Sequence, residues 1–334
     1  MATLDLTTNP IADWQQAILD GYAFPPYSWI RQVTKESRQA LMRHELEQAT
    51  GGNGQTLLGH VADERLTGFA QARRLEWDSR HFGIEMWRLE HLGAWGGPAR
   101  QRETAEALAQ AVVQAVGQRG GHSIQARAPI DNLPAVHALE GTGFRTVEVT
   151  TTWLFDLNRS PIPAKQHPAL VRDVRPDDAD ALIALAHTAY APTPDRFHSD
   201  PHLSSRASSE LYAEWMRNSL SGALADHIAV ALGDGQPVGY STLRDLGDMG
   251  GRCNVRIAQM GLGAMMPAYR ERGLVTDVVI HHLEWLRRRG GELCIVGTQG
   301  NNIPAQRVFL KAGFKPAATS LSLHFWPETT VVDT

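Results

Sequence analysis

The sequence predicts an α/β chain of the layered α+β kind, built from two tandem copies of one fold. Its 334 residues exceed the commonest single domain and suit two of about 150 each. Residues 119–156 laid over 289–326, at a constant offset of 170, match at nine of 38 positions without a gap. Composition alone gives about two or three such matches, so the halves are read as a duplication. The predicted order in the second half is βα, antiparallel strands, then βαβ, which belongs to a layered sheet and not to a doubly wound nucleotide fold.

Each element has a local reason. A strand at 170–174 leads into a helix at 176–190, with Asp177 and Asp178 in the first turn where the helix dipole favours carboxylates. A helix over 208–220 precedes strands at 227–232 and 236–243, separated by the turn Gly233-Asp234-Gly235. A long strand spans 254–265. Val275, Val278, Val279, Leu283 and Leu286 recur at helical spacing over 274–289, and Arg287–Arg289 with Gly290 close that helix. A strand at 292–298, a helix at 303–311 and a strand at 319–326 complete the copy. The first half ends alike: strand 86–92, helix 103–118, strand 122–128, helix 133–140 and strand 144–155. Its beginning reads differently, with helices at 11–19 and 35–49. Between the halves, Asn158–Pro168 carries three prolines and almost no apolar residue, the composition of an extended linker. The predicted domains are therefore 1–160 and 166–334.

Composition narrows the function. Hydrophobic residues at 43% and charged residues at 20% suit a globular chain and exclude whole-length disorder. Net charge is −4 with no basic stripe, so no nucleic-acid partner is expected. Cys253 and Cys294 are too few for a disulfide framework or a zinc site, and no metal is expected. The opening residues have no basic, apolar leader pattern, and no apolar run reaches membrane-spanning length. A cytoplasmic protein with no membrane partner is the expectation.

The segment Ala268–Thr276, AYRERGLVT, joins a strand to a helix. Amides at such a junction point outward without partners and the dipole adds positive potential, so a diphosphate can dock. Gly273 admits close backbone approach, and Arg270 and Arg272 add charge. Taken alone, a basic turn before a helix explains the same residues.

Together with Asn302–Phe314, which reads N-x-x-A-x-x-x-F-x-x-x-G-F, the segment resembles the GNAT superfamily of coenzyme A-dependent N-acyltransferases. The resemblance covers about 165 residues of the second half. It implies that Arg270, Glu271, Arg272, Gly273, Leu274, Val275 and Thr276 wrap the coenzyme diphosphate. It further implies that the strand holding Leu262, Gly263, Met265 and Met266 splays from its neighbour to pair with the pantetheine arm, and that Asn302, Ala305 and Phe309 border the cofactor. Arg196–Ser204, Leu211–Leu220 and Trp77–Ile84 are similar to sugar-nucleotide amine acetyltransferases of the TDP-fucosamine type. In the first half, the aligned segment Pro98–Leu108 places Glu103 at the Gly273 position and Glu106 in the first turn of the following helix, where carboxylates compete with a phosphate for the dipole. The expectation is a first copy that keeps the fold and lacks the coenzyme loop.

The resemblance implies transfer of an acetyl or other short acyl group from acyl-CoA to a small-molecule amine. Phe309 stands where many relatives carry a proton-donating tyrosine, and no carboxylate lies between Cys253 and Arg270. His324, Tyr240 and Gln259 are the candidate substitutes, with His281 and His282 on the helix after the loop. Arg196, Tyr212 and Trp215 are candidate acceptor contacts. An acyl-CoA or carrier thioester-cleaving or decarboxylating enzyme and a non-catalytic coenzyme-binding protein remain open alternatives. Duplication also suggests that the halves form an intramolecular pseudo-dimer.

Overall fold

The computed structural model describes residues 2–8, 11–50, 54–190 and 195–327. In chain order the first half runs β1 (Ala2–Asp5), α1 (Trp14–Gly21), α2 (Lys35–Thr50), β2 (Gln55–Ala62), β3 (Arg65–Arg74), α3 (Glu76–Phe82), β4 (Met86–Ala94), α4 (Pro98–Gln118), β5 (Ser123–Pro129), α5 (Leu133–Gly141) and β6 (Arg145–Asp156). The second half continues with β7 (Val171–Asp173), α6 (Ala179–Ala189), α7 (Ser205–Leu220), β8 (His227–Gly233), β9 (Gln236–Gly247), β10 (Ile257–Met265), α8 (Leu274–Arg288), β11 (Leu293–Gln299), α9 (Ile303–Lys311) and β12 (Lys315–Phe325). No helix among the described residues is long and apolar enough to cross a membrane.

Two compact units result: residues 1–149 with 319–334, and residues 150–318. They do not follow a cut at 160–166, because the terminal strand of each half is traded. In unit 1 the sheet runs β1-β2-β3-β4-β5-β12, with β12 antiparallel to β5 from Ser320 opposite Pro129 to Phe325 opposite Ile124. In unit 2 it runs β6-β11-β10-β9-β8-β7, with β6 antiparallel to β11 from Asp156 opposite Leu293 to Thr150 opposite Gln299. The traded strands are the aligned pair that shares Phe155 and Phe325, so each presents the same apolar face to either sheet.

The first half also begins like the second, contrary to its sequence pattern. Its β2–β3 hairpin turns at Asp63 and Glu64, both at positive φ (51° and 62°) without a glycine. The β8–β9 hairpin turns at Asp234 and Gly235, where the glycine supplies the signal.

One face of the unit 1 sheet packs Leu108, Val112 and Leu139 of α4 and α5 against Leu89, Ile124 and Leu323. The opposite face carries Ile18, Met42 and Leu46 of α1 and α2 against Leu57 and Phe69. In unit 2, Trp153 and Phe155 from β6 join Leu283 and Leu286 of α8 and Phe309 and Phe314 around α9. The proline-rich stretch is bonded along α8 within unit 2: Ile162 packs on that core, Lys165 pairs with Glu284 at 2.8 Å, and Arg287 reaches the Ser160 carbonyl.

Candidate active site

β10 and β11 pair in parallel only from Ile257–Leu293 to Met260–Val296. β10 then runs on to Met265 with a bulge against β9 between Met260 and Gly263, and among the described residues its edge toward β11 has no strand partner there. A bulge re-aims the strand and ends pairing at that point. Ala258, Met260 and Leu262 turn inward and are buried, while Gln259, Gly261 and Gly263 alternate on the exposed face. Met265 closes the strand in a buried position and Met266 is exposed.

Residues 266–273 connect β10 to α8 through one 3-10 turn at Pro267–Tyr269. Glu271 and Gly273 both take left-handed conformations (φ 62° and 81°), and Gly273 is the residue from which α8 starts. A Cβ there would lie 2.6 Å from the Gln166 Oε1. Glycine is therefore favoured by φ, while the contact with the flexible Gln166 tip would only make that side chain shift. The amides of Leu274, Val275 and Thr276 open the helix without intrahelical acceptors, as first-turn amides do. Arg270 Nε donates to the Met265 carbonyl at 3.3 Å, and the Arg272 guanidinium covers the Tyr269 ring at 4.9 Å. Buried Asp277, one turn into α8, accepts from the amides of Gln166 at 2.9 Å and His167 at 2.7 Å, fixing residues 166–167 beside the loop.

At the end of β11, Asn302 starts α9: its Oδ1 accepts from Ala305 N at 3.2 Å and its Nδ2 donates to Thr298 Oγ1 at 3.1 Å. Ala305 is partly buried on the core. Phe309 is 8% exposed and packs its ring 6.2 Å from Trp153 and 5.9 Å from Phe314, so it serves as a wall in the core.

The principal feature that sequence reasoning missed is Tyr190. Its hydroxyl donates to the Gly263 carbonyl at 3.0 Å and accepts from the Gly263 N–H at 2.9 Å, on the part of β10 beyond its pairing with β11. Tyr212 stacks on Tyr190 with centroids 4.0 Å apart and on His198 at 6.0 Å. Tyr212 Oη donates to Asp195 Oδ2 at 2.8 Å, and His198 Nδ1 lies 2.8 Å from the same oxygen. His198 Nε2 is 3.3 Å from Ser209 Oγ. This Ser-His-Asp order is a bracket for Tyr212, since Ser209 is buried and Asp195 shares its oxygen with the phenol. Burial pushes Tyr190 up to about 12, and raises Tyr212 and Tyr240 well above the ordinary phenol range. An aromatic at the end of a predicted helix was the available signal, and it was not enough to single Tyr190 out.

The other candidates separate. Gln259 lies exposed on β10, and Tyr240 is buried on β9 opposite Ala264. Tyr212 is buried and Trp215 half-buried in the same ring stack, at 6.3 Å. Arg196 lies over the Phe197 ring at 4.4 Å. His324 is in β12 opposite Gln125 and belongs to unit 1, because of the strand exchange. Cys294 is fully buried and burial raises its thiol. Glu292, which the sequence places at the opening of the strand before α9, accepts from the Arg256 amide at 2.9 Å and from Asn158 Nδ2 at 3.1 Å and so is a structural strand end.

Unit 1 has the same strand opening but another surround. β4 pairs with β5 only through Leu89–Ala126, yet Asn132 Nδ2 reaches across to the Leu92 carbonyl at 3.1 Å. Only residues 95–97 link β4 to α4, which starts at Pro98. Glu103 and Glu106 therefore both lie past the first turn, whereas Glu103 was expected at the loop position of Gly273 and Glu106 in the first turn. Proline fits the first helical position, so the helix begins early and takes up the residues a loop would need.

The fold is shared by known proteins. Residues 189–314 match the acetyltransferase (GNAT) family. The spore coat polysaccharide biosynthesis protein SpsD of Bacillus subtilis (strain 168) is 28% identical over 152 residues, 46% of this chain and 49% of that protein. The match thus spans about half the length of that curated relative. A GCN5-related N-acetyltransferase from Sphaerobacter thermophilus superposes with a TM-score of 0.60 at 15% identity, covering 85% of each chain. A tandem GNAT protein from the clavulanic acid biosynthesis pathway gives 0.57 at 16% identity, covering 98% of this chain and 99% of that one. Residues 189–314 thus carry the similarity to the acetyltransferase (GNAT) family, and the fold of the chain is similar to that of a tandem GNAT protein.

Proposed function

We propose that unit 2 transfers an acetyl or other short acyl group from acyl-CoA to the amine of a small, sugar-derived metabolite. The observation that carries this reading is the edge of β10 beyond Met260, which β11 leaves uncovered and the Tyr190 hydroxyl meets at Gly263, followed directly by the Gly273 loop and the open amides of α8. Main-chain N–H groups over 270–276 hold the diphosphate, and Arg270 and Arg272 add positive charge. The left-handed Gly273, whose missing Cβ leaves room beside Gln166, fits such a ligand. Leu262, Gly263, Met265 and Met266 present the strand edge to the pantetheine arm, with Asn302, Ala305 and Phe309 on the other side. Acyl-CoA supplies an activated thioester.

When the Tyr190 hydroxyl turns from Gly263 to the sulfur, the Gly263 N–H is released to polarise a carbonyl placed on that edge. The Tyr190 hydroxyl, already on Gly263, supplies the proton that leaves with sulfur and regains one from the attacking nitrogen. Phe309 cannot donate, and His324 lies in unit 1. Exposed Gln259, Gly261 and Gly263 form the floor on which the acceptor rests. The sugar class is supported by the polysaccharide role named for SpsD. In unit 1, Asn132 bridging to Leu92 and the early start of α4 support a copy without coenzyme.

The test is thiol release by the full chain from acetyl-CoA with a panel of amino sugars and nucleotide-linked amino sugars. Amine-dependent release supports transfer. Release independent of amine turns the reading to thioester cleavage, and coenzyme binding without release turns it to a binding protein.

A further inference from the structure

We propose that Asp173, His227 and His281 form a site for a divalent transition-metal ion of zinc type, separate from the loop and strand edge described above. The three residues come from three elements: the end of β7, the start of β8 and the middle of α8. One carboxylate oxygen, Asp173 Oδ1, lies 2.9 Å from His227 Nε2 and 2.7 Å from His281 Nε2, and the three ligand atoms all fall within 4.8 Å of one another. Ligand atoms around a tetrahedral zinc ion stand roughly 3.3 Å apart, so a small outward shift of each side chain seats the ion. Two imidazoles and one carboxylate make a borderline donor set that suits zinc, cobalt or nickel over magnesium or calcium. The Asp173 side chain is 63% exposed, which leaves an approach from solvent and room for a water ligand.

The surrounding shell treats the two histidines differently. His227 is buried, and its Nδ1 lies 2.8 Å from His282 Nδ1, so its ring is held with Nε2 toward Asp173. Outer hydrogen bonds of this kind orient a ligating imidazole. His281 Nδ1 lies 3.0 Å from Lys165 Nζ. An ammonium only donates, so His281 presents a lone pair to Lys165 and its Nε2–H to Asp173. Ligation needs the other tautomer, in which Nε2 faces the metal. Lys165 therefore competes with the ion, and Glu284, 2.8 Å from the same ammonium, is the partner that keeps it when His281 changes tautomer to bind the metal. A bracket of hydrogen bonds alone predicts no such competition.

The full chain, freed of metal by chelation and dialysis, is titrated with zinc chloride by calorimetry and with cobalt(II) by visible absorption. One ion per chain with micromolar or tighter affinity is expected, with a cobalt ligand-field band. Asp173→Asn, at an exposed position, and His281→Gln should each weaken binding by at least about tenfold. Lys165→Met should tighten it severalfold. The proposal is overturned if the wild type takes up no ion, if both weakening variants bind as well as the wild type, or if Lys165→Met leaves affinity unchanged. Circular dichroism of each variant separates lost binding from lost folding. A variant that has unfolded is replaced by the cobalt band of the wild type, whose absence also overturns the site.

Discussion

Tyr190 and Gly263 form a reciprocal pair, the hydroxyl donating to the carbonyl at 3.0 Å and accepting from the amide at 2.9 Å. The stack on Tyr212 holds the phenol there, so a side chain from the end of α6 is placed on the open edge of β10. Tyr190→Phe keeps the ring and removes the proton. Thiol release should fall by about 10²–10⁴-fold, the usual worth of a general acid, while acetyl-CoA affinity stays within about threefold. Burial is the main reason the phenol is pushed up to about 12, so it keeps its proton from neutral pH to about 11, and the wild-type rate should show no alkaline loss from this group below that. Steady-state rates and calorimetry on both proteins check this.

Gly273 gives a second expectation. Its φ of 81° costs an L-residue about 1–2 kcal/mol, and an added Cβ meets Gln166 Oε1 at 2.6 Å. Gly273→Ala should therefore weaken coenzyme A binding by about tenfold, and adding Gln166→Ala should restore only the part due to contact. Glu103→Gly in unit 1 should create no binding, because α4 already runs from Pro98. It should instead cost about 1 kcal/mol of helix stability. Calorimetry and urea unfolding read the two effects.

Much of unit 2 was legible because its signals are local. The Val275–Leu286 stripe and the Arg-Arg-Arg-Gly ending place α8, and Asn302 with Pro304 places the start of α9. The β2–β3 hairpin was not legible, since Asp63 and Glu64 turn without glycine. Nor was the exchange of β6 and β12: aligned strands with the same apolar pattern fit either sheet, and connectivity decides between them. The loop at Gly273 could be read from its motif, whereas Tyr190 lies 73 residues from Gly263 and only the fold brings them together. The same holds for Asp173, His227 and His281, which are 54 residues apart at each step.

Acid should loosen unit 2 through Asp178. Its carboxylate accepts from Arg172 at 2.7 and 2.8 Å and from the Arg175 amide at 2.7 Å, with the side chain 6% exposed. The Arg172 hydrogen bonds hold its pKa below the ordinary value of 3.8, against burial, which opposes them. A depressed acid stabilises the fold fully above its unfolded pKa and ceases to do so as pH falls through the folded one. Asp178→Asn should cost about 3 kcal/mol at neutral pH, as breaking a buried pair does, and the gap to wild type should close below the folded pKa. Urea midpoints measured from pH 7 down to pH 2 test both parts.

The strand exchange sets which fragment can fold. A chain of residues 166–334 lacks β6, so β11 loses the partner it holds from Leu293 to Gln299. It also loses Trp153 and Phe155, which pack on Phe309 and Phe314. Removing large aromatic side chains from a core costs about 3–5 kcal/mol each, comparable in sum to the whole 5–15 kcal/mol by which domains are stable. Residues 150–318 retain the part of β6 that pairs with β11, Thr150–Asp156, and omit the part of β12 that pairs with β5, Ser320–Phe325, in unit 1. The fragment 150–318 should therefore melt cooperatively and bind coenzyme A, whereas 166–334 should be unfolded or insoluble. Near-ultraviolet circular dichroism and calorimetry on the two fragments decide it, and a well-folded 166–334 would show that β6 is dispensable to the sheet it completes.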